Sequence, residues 1–316
     1  MKRILVTGAA GQIGTELVPA LLARYEGATV VATDIKDRSD PLPGDATFRV
    51  LDCTDAEAVG ALVAGEGIDT IYHLAAILSA TAEGVPQKAW QVNMGGLYTI
   101  LEAAREHDCA VFVPSSIAAF GPQTPSDPAP QDTVQRPNTL YGVTKVAGEL
   151  LCDYYHTRFD VDVRGVRYPG LVSYAAPPGG GTTDYAVEIF HAALEAGRYT
   201  CYLEPDAQLD MMYMPDALRA AMELMDAPAD RLEHRNAFNI AAMQLTPAGL
   251  ADAIREHIPT FEIDYDVDPE RQAIAESWPR RVDDSAARAE WDWRPDYDTA
   301  AMVEDMLAKL APRLGV

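Results

Sequence analysis

The sequence predicts an α/β fold, a doubly wound parallel sheet with a smaller C-terminal lobe. Three observations predict it. Apolar, β-branched runs alternate with amphipathic stretches of helical length through the N-terminal half; a glycine-spaced turn directly follows the first run; and the alternation loosens after "DVDVRGVRYPG", where glycine and proline cluster. Strands buried on both faces read as continuous apolar runs, and intervening helices are what connect parallel strands.

The first strand is "RILVTG", starting at about Arg3, and a helix follows through Leu17 to Arg24. "ATVVATD", "TFRVLD" and "DTIYHLAA" supply three further strands; a helix spans about Gln87 to Glu106, and "AVFVPSS" is a fifth strand. Another helix runs from Tyr141 to Thr157. Beyond "DVDVRGVRYPG", shorter strand and helix candidates follow in "RYTCYL", "PDALRAAMELM", "AFNIA" and "TPAGLADAIREHI". They read as a smaller lobe built from insertions rather than as an independent linked domain. Residues 1–170 are therefore expected to form the sheet domain and residues 171–316 mainly the lobe, with some segments returning.

A chain of 316 residues buries ample core without disulfides or metal. Cys53, Cys109, Cys152 and Cys201 are widely separated, with no CxxC and no Cys/His pair at zinc-ligand spacing, so they read as reduced thiols of a cytoplasmic protein. No metal site is expected. No leader or membrane span is evident, and a net charge of −23 argues against nucleic acid, whose phosphates are met by Lys and Arg. Lysines are few (Lys2, Lys36, Lys88, Lys145 and Lys309), which draws notice to Lys145. His73, His107, His156, His191, His234 and His257 form no catalytic set and read as structural or exposed.

"VTGAAGQIG" places Gly8, Gly11 and Gly14 after a strand and at the mouth of a helix. Glycines there permit a tight turn, let backbone N–H groups approach a pyrophosphate, and let helix pack closely on strand. Asp34 ends the second strand about twenty residues past Gly14, where a carboxylate can accept hydrogen bonds from a ribose 2′-OH. It would repel a 2′-phosphate, so NAD is expected rather than NADP. "YGVTK" sets Tyr141 and Lys145 one helical turn apart on the same face. A free phenol, with its pKa of about 10, is a poor base at neutral pH; an ammonium beside it lowers that value and makes Tyr141 a usable proton acceptor.

The GxxGxxG spacing, the YxxxK pair and the preceding "PSS" resemble the short-chain dehydrogenase/reductase superfamily, in its extended, Rossmann-type form that includes nucleotide-sugar epimerases. The resemblance implies further cofactor contacts at Gln12, Ile13, Asp52, Leu74, Ala75, Ala76, Asn93 and Tyr168, beside Tyr141 and Lys145. It implies Ser116, five residues before the glycine of "AAFG", as the catalytic hydroxyl that orients the substrate oxygen for Tyr141, with Ser115 the neighbouring alternative. The reaction class is then hydride transfer from a carbinol carbon, the hydroxyl proton going to Tyr141.

"RYPGLVSYAAPPGGGTTDYAVEIF", "LDMMYMPDALRA", "FVPSSIAAFGP" and "RVDDSAARAEWDWRPDYD" together resemble the NAD-dependent, zinc-independent L-threonine 3-dehydrogenases of this type over essentially the whole chain. Threonine is small and zwitterionic, and short polar groups in a dry site suit it. The resemblance thus implies Thr182 and Thr183 as substrate contacts, near the start of a helix beginning around Asp184, with the preceding glycines closing over the ligand as a lid. Ser79, Ser115, Ser116, Tyr141 and Trp278 complete the expected contacts. A homodimer is implied too, through the helices Gln87 to Glu106 and Tyr141 to Thr157. A nucleotide-sugar epimerase or dehydratase is the alternative, but the stretch carries no obvious basic set to meet a nucleotide's phosphates. A non-catalytic NAD sensor would have no need of Ser116, Tyr141 and Lys145 together.

Overall fold

The runs "RILVT", "TVVATD" and "TIYH" lie side by side as parallel strands, being too apolar to face water on either side. In this computed structural model the chain is described over residues 1–37, 46–175 and 181–316. It forms two compact units, each made of several segments. The first comprises Met1–Ala119, Thr139–Arg167 and Leu218–Phe238; the second comprises Phe120–Asn138, Tyr168–Ala217 and Asn239–Val316.

The first unit contains β1 (Arg3–Thr7), α1 (Gln12–Arg24), β2 (Thr29–Asp34), β3 (Ala46–Val50), α2 (Ala56–Glu66), β4 (Thr70–His73), α3 (Ser79–Gly84), α4 (Pro86–Trp90), α5 (Leu97–His107), β5 (Ala110–Phe112), β6 (Ser115–Ser116), α6 (Leu140–Phe159) and β7 (Val163–Arg164). Six of the strands form one parallel sheet of order β3-β2-β1-β4-β5-β7. The order turns back between β1 and β4, and in open α/β sheets ligands bind in the crevice at such a switch point, beyond the carboxyl ends of the strands. A core cluster under α2, α5 and α6 joins Leu5 and Ile71 of the sheet to Val59, Ile100 and Tyr155 of the helices.

Two predicted elements differ in detail. The expected helix from Gln87 to Glu106 is α4, a π-helical turn at Gln91–Gly96, and α5. The expected strand "AVFVPSS" splits: β5 ends at Phe112, and β6 lies outside the six-stranded sheet. Pro114 has no N–H to continue a ladder. The neighbouring backbone also comes too close for a side chain, because a Cβ added at Gly165 would lie 2.1 Å from the Val113 carbonyl oxygen.

The chain passes between units within β8 (Val166–Tyr168). The second unit continues with β9 (Gly170–Val172), α7 (Tyr185–Glu195), β10 (Arg198–Cys201) and β11 (Leu209–Tyr213). Passage occurs again within α8 (Met214–Asp226) and β12 (Phe238–Asn239), before β13 (Met243–Leu245), α9 (Pro247–Arg255), β14 (Glu262–Tyr265), α10 (Pro269–Glu276), α11 (Ser285–Trp291) and α12 (Thr299–Leu314). One small sheet has the order β13-β11-β9; β10 pairs with β14. Buried carboxylates hold the C-terminal segment in this unit. Asp210 accepts the Val282 N–H and the Gln244 side-chain amide, both at 2.7 Å, and burial pushes its carboxyl up to about 6. Asp216 accepts the N–H groups of Asp296 and Tyr297. No helix of the described residues is long and apolar enough to cross a membrane.

Candidate active site

Gly8 follows β1 with φ of +68°, and a Cβ placed there would lie 2.7 Å from the Ala75 nitrogen and 2.9 Å from the Leu74 carbonyl carbon. Only glycine suits both the left-handed backbone and that approach. At Gly14 an added Cβ would meet the Ala9 Cα and the Gly8 oxygen at 2.6 Å, so α1 packs directly onto the turn. Gly11 donates its N–H to the Gly8 oxygen at 3.0 Å and caps α1 without a side-chain hydrogen bond. The backbone N–H groups opening the helix, at Gln12 and Ile13, therefore face no side-chain cap, the arrangement that suits an anion. Asp34 closes the turn: its Oδ2 accepts the Ala10 N–H and its Oδ1 the Lys36 N–H, each at 3.1 Å. A carboxylate has about four acceptor positions, so two remain. Asp52 is exposed after β3 and accepts both the N–H and the hydroxyl of Thr54.

Leu74, Ala75 and Ala76 leave β4 half-buried, with the Leu74 N–H donated to the Thr7 oxygen at 3.1 Å. His73 is buried, and its Nδ1 lies 2.8 Å from the Thr7 hydroxyl. Burial, and then the nearby Lys145 charge, push its pKa down to about 3, so the ring is neutral. Asn93 sits in the π-helical turn. Its Oδ1 accepts the Ile77 N–H at 2.8 Å, and its Nδ2 donates to the Ile77 oxygen at 3.1 Å and the Thr144 hydroxyl at 3.2 Å. Both ends of that amide thus hold Ile77 of the loop after β4, and its Nδ2 also ties it to α6. Ser79 begins α3.

Thr139 caps α6 by accepting the Gly142 N–H at 3.1 Å, which fixes Tyr141 in the first turn. Lys145 stands one turn on, its Nζ 5.3 Å from the Tyr141 ring centroid and donating to the Pro114 oxygen at 2.7 Å. The two serines part company here. Ser115 is buried and gives its hydroxyl hydrogen to the Glu149 carboxylate. Ser116 is half-buried and its Oγ accepts the Ala118 N–H at 3.2 Å, which leaves its own O–H as a donor. Glu149 in turn holds Arg167 through two hydrogen bonds, Nε to Oε1 at 3.0 Å and Nη2 to Oε2 at 2.9 Å, with both side chains buried. His73, Ala75, Asn93, Ser115, Lys145 and Glu149 line one cavity. Glu149, Arg167 and Thr144 were missed from the sequence, although Tyr141, Lys145 and Glu149 at successive four-residue steps lie on one readable face.

In the second unit, Tyr168 is buried and donates its hydroxyl to the Ala217 oxygen at 2.7 Å; burial pushes the phenol up. Thr182 is buried and opens a 3-10 turn, Thr182–Asp184. Thr183 packs its methyl against Gly170, where an added Cβ would lie 2.7 Å from it. Trp278 is buried and borders a cavity with Glu204, Gln272 and Arg280. Of the glycines expected to form a lid, Gly179 and Gly180 lie outside the described residues.

Residues 4–241 match the NAD-dependent epimerase/dehydratase family, and the chain belongs to that family. A solved L-threonine dehydrogenase from Clostridium difficile superposes with a TM-score of 0.96 at 53% identity, covering 99% of this chain and 98% of that one. A structure described as a monomeric L-threonine 3-dehydrogenase from a metagenome database, in apo form, gives 0.93 at 43% identity, with coverage of 99% and 100%. An uncharacterized epimerase/dehydratase of Staphylococcus haemolyticus is 52% identical over 97% of each chain.

Glu149→Gln should unfold at a lower urea midpoint, at a cost of about 3–5 kcal/mol, because it leaves the Arg167 guanidinium buried beside an amide. A midpoint equal to that of the wild type would show that the pair carries no such burden.

Proposed function

We propose that this chain is an L-threonine 3-dehydrogenase that oxidises the β-hydroxyl of L-threonine with NAD to 2-amino-3-oxobutyrate. The observation that carries it is the near-complete match in fold and length to an L-threonine dehydrogenase, at half-identical sequence. The Tyr141–Lys145 arrangement supports the chemistry independently of any name. The cradle fits the cofactor: Gly8 and Gly14 have no room for a Cβ, α1 opens uncapped by a side chain, and Asp34 stands at the turn with acceptor capacity to spare. Gly8, Gly11, Gln12, Ile13 and Gly14 would hold the pyrophosphate and Asp34 a ribose, with Asp52, Leu74, Ala75 and Ala76 along the remainder. Asn93 and Tyr168 would serve it through the backbone they hold. When bound, NAD supplies the acceptor for the hydride.

The protein's own part is proton management and orientation. Tyr141 takes the β-hydroxyl proton as the carbinol carbon is oxidised. Lys145, held against the Pro114 carbonyl, keeps its ammonium beside the phenol. Ser116 donates to the substrate oxygen, a role that Ser115 is poorly placed to take because Glu149 holds its hydrogen. In the second unit, Thr182, Thr183 and Trp278 are the hydroxyl and aromatic groups suited to a small zwitterion. The four buried free thiols suit a reducing compartment, so the cytosol is the proposed location.

A second copy of the chain is the proposed partner. Val143, Leu150 and Tyr154 are exposed on α6 at i, i+7 and i+11, one helical face, and Trp90 of α4 and Tyr98 of α5 are exposed as well. Solvent-facing apolar groups gathered on helices mark an interaction surface. Sedimentation equilibrium should give about twice the chain mass, and Leu150→Glu should return it to one; a wild-type chain sedimenting as a monomer would remove the dimer.

NADH formation at 340 nm should be clear with L-threonine and weak with L-allo-threonine or L-serine, and Tyr141→Phe should lower turnover at least about 100-fold with NAD binding retained. A flat trace from folded, NAD-binding protein would turn the assignment towards a nucleotide-sugar substrate. Asp34→Ala should weaken NAD binding and relax discrimination against NADP, measured as the ratio of the two Kd values; an unchanged ratio would take Asp34 out of the cofactor site.

A further inference from the structure

The turn that carries Thr182 and Thr183 is held from outside by one side chain that neither motif nor spacing singled out. Tyr202 follows β10 in the second unit. Its hydroxyl oxygen accepts the Tyr185 N–H at 2.7 Å, and its O–H lies 3.3 Å from the carbonyl oxygens of both Gly181 and Thr182. One phenol therefore grips the residue before the turn, the turn's first residue and the first residue of α7. Within the turn, Gly181 brings no side chain, the Asp184 carboxylate accepts the Gly181 N–H at 2.7 Å, the Asp184 N–H reaches the Gly181 oxygen at 3.3 Å, and the Tyr185 N–H also turns towards the Thr183 oxygen.

The grip is itself braced. The Arg271 guanidinium, from α10, lies 4.2 Å from the Tyr202 ring centroid, a cation over an aromatic face. Burial pushes the Tyr202 phenol up, with Glu188 and Asp184 adding to the rise and Arg271 opposing it, so the hydroxyl keeps the hydrogen it donates. A phenol donating to carbonyls and accepting an N–H has its donor and one acceptor position used, and the Tyr185 N–H it accepts stands at the start of α7.

We infer that Tyr202 is a positioning residue for substrate binding: its hydroxyl, with Arg271 over its ring, fixes the backbone from Gly181 to Tyr185 and thereby aims Thr182 and Thr183. The inference rests on the proposal that these threonines contact L-threonine. It separates Tyr202 from the groups that act on the reacting atoms, since it works only through the turn. Loss of its hydroxyl is a loss of substrate affinity, with the proton-transfer machinery of the first unit unchanged.

The test is steady-state kinetics on Tyr202→Phe beside Thr183→Val, which removes a hydroxyl and keeps the methyl that packs on Gly170. Tyr202→Phe should raise KM for L-threonine roughly tenfold, as expected for loss of a hydroxyl that holds a substrate-contacting turn. Its kcat should stay within about threefold, and the Kd for NAD within about twofold. Thr183→Val should raise KM alone. If Thr183→Val raises KM and Tyr202→Phe leaves it unmoved, the positioning role is overturned while the threonine turn stands. If neither moves KM, the turn is not a substrate contact and both readings fall. A Tyr202→Phe chain whose KM for L-threonine, KM for NAD and Tm all worsen together would be showing a general packing defect, which also overturns the inference. Arg271→Met keeps the hydroxyl and uncovers the ring. It should give a smaller rise in KM at an unchanged Tm, and it decides the matter if Tyr202→Phe does not fold; an unchanged KM there overturns the role.

Discussion

The contact on which the first unit depends is the backbone approach of Gly8 to Leu74 and Ala75. The carboxyl ends of β1 and β4 diverge at the point where the sheet reverses its strand order, and the crevice that results is available to a ligand only if nothing fills it. A Cβ at Gly8 would collide with the Ala75 nitrogen, and one at Gly14 with the turn itself. The same absence of side chains that lets the helix sit on the turn leaves backbone N–H groups pointing outward. Asp34, accepting the Ala10 N–H from the next strand, then holds the turn open. Three glycines and one carboxylate thus create both the space and its polarity.

The second fixed part is α6, which is tied along its first three turns. Thr139 caps its start, Thr144 meets Asn93, Lys145 meets the Pro114 carbonyl, and Glu149 meets Ser115 and Arg167. Those ties reach the loop after β4 through Asn93 and the β5–β6 turn through Pro114 and Ser115. Catalytic geometry needs placement to within a fraction of an ångström, and a helix anchored along its first three turns supplies it where a loop would not. The π-helical turn belongs to this scheme: an extra residue per turn is a common feature near functional sites, and here it carries Asn93.

Much of this was legible. The strand alternation, the glycine turn, Asp34 at the end of the second strand and the Tyr141–Lys145 pair are local patterns, and local patterns survive in a sequence. What escaped depends on partners far apart in the chain. Nothing near Glu149 announces Arg167, eighteen residues away across a strand, and "PSS" gives no sign that its two serines part into a buried tie and a half-exposed donor. The placing of Phe120–Asn138 in the second unit is hidden for the same reason, since its assignment is made by packing and not by its own periodicity. Tyr202 reads locally as one aromatic residue at the end of a short strand candidate; its importance lies in three backbone groups that it reaches 17 to 21 residues away.

The Glu149–Arg167 pair also resolves an electrostatic difficulty. A glutamate one turn beyond a lysine on the same helical face ordinarily pairs with it, at a gain of about 0.2–0.5 kcal/mol on a surface and more where water is excluded. Had Glu149 done so, the Lys145 ammonium would be drawn along the helix and its charge largely cancelled at the Tyr141 phenol. Arg167 prevents this by taking both carboxylate oxygens in a two-bond, charge-assisted grip, the strongest geometry open to a carboxylate. The Ser115 hydroxyl adds a third tie to the same carboxylate. The ammonium turns instead to a neutral carbonyl, which satisfies a hydrogen bond without cancelling charge. In a chain with nearly two acidic groups for each basic one, keeping a single positive charge effective beside a phenol requires that the carboxylate one helical turn away be occupied elsewhere, and the buried arginine occupies it.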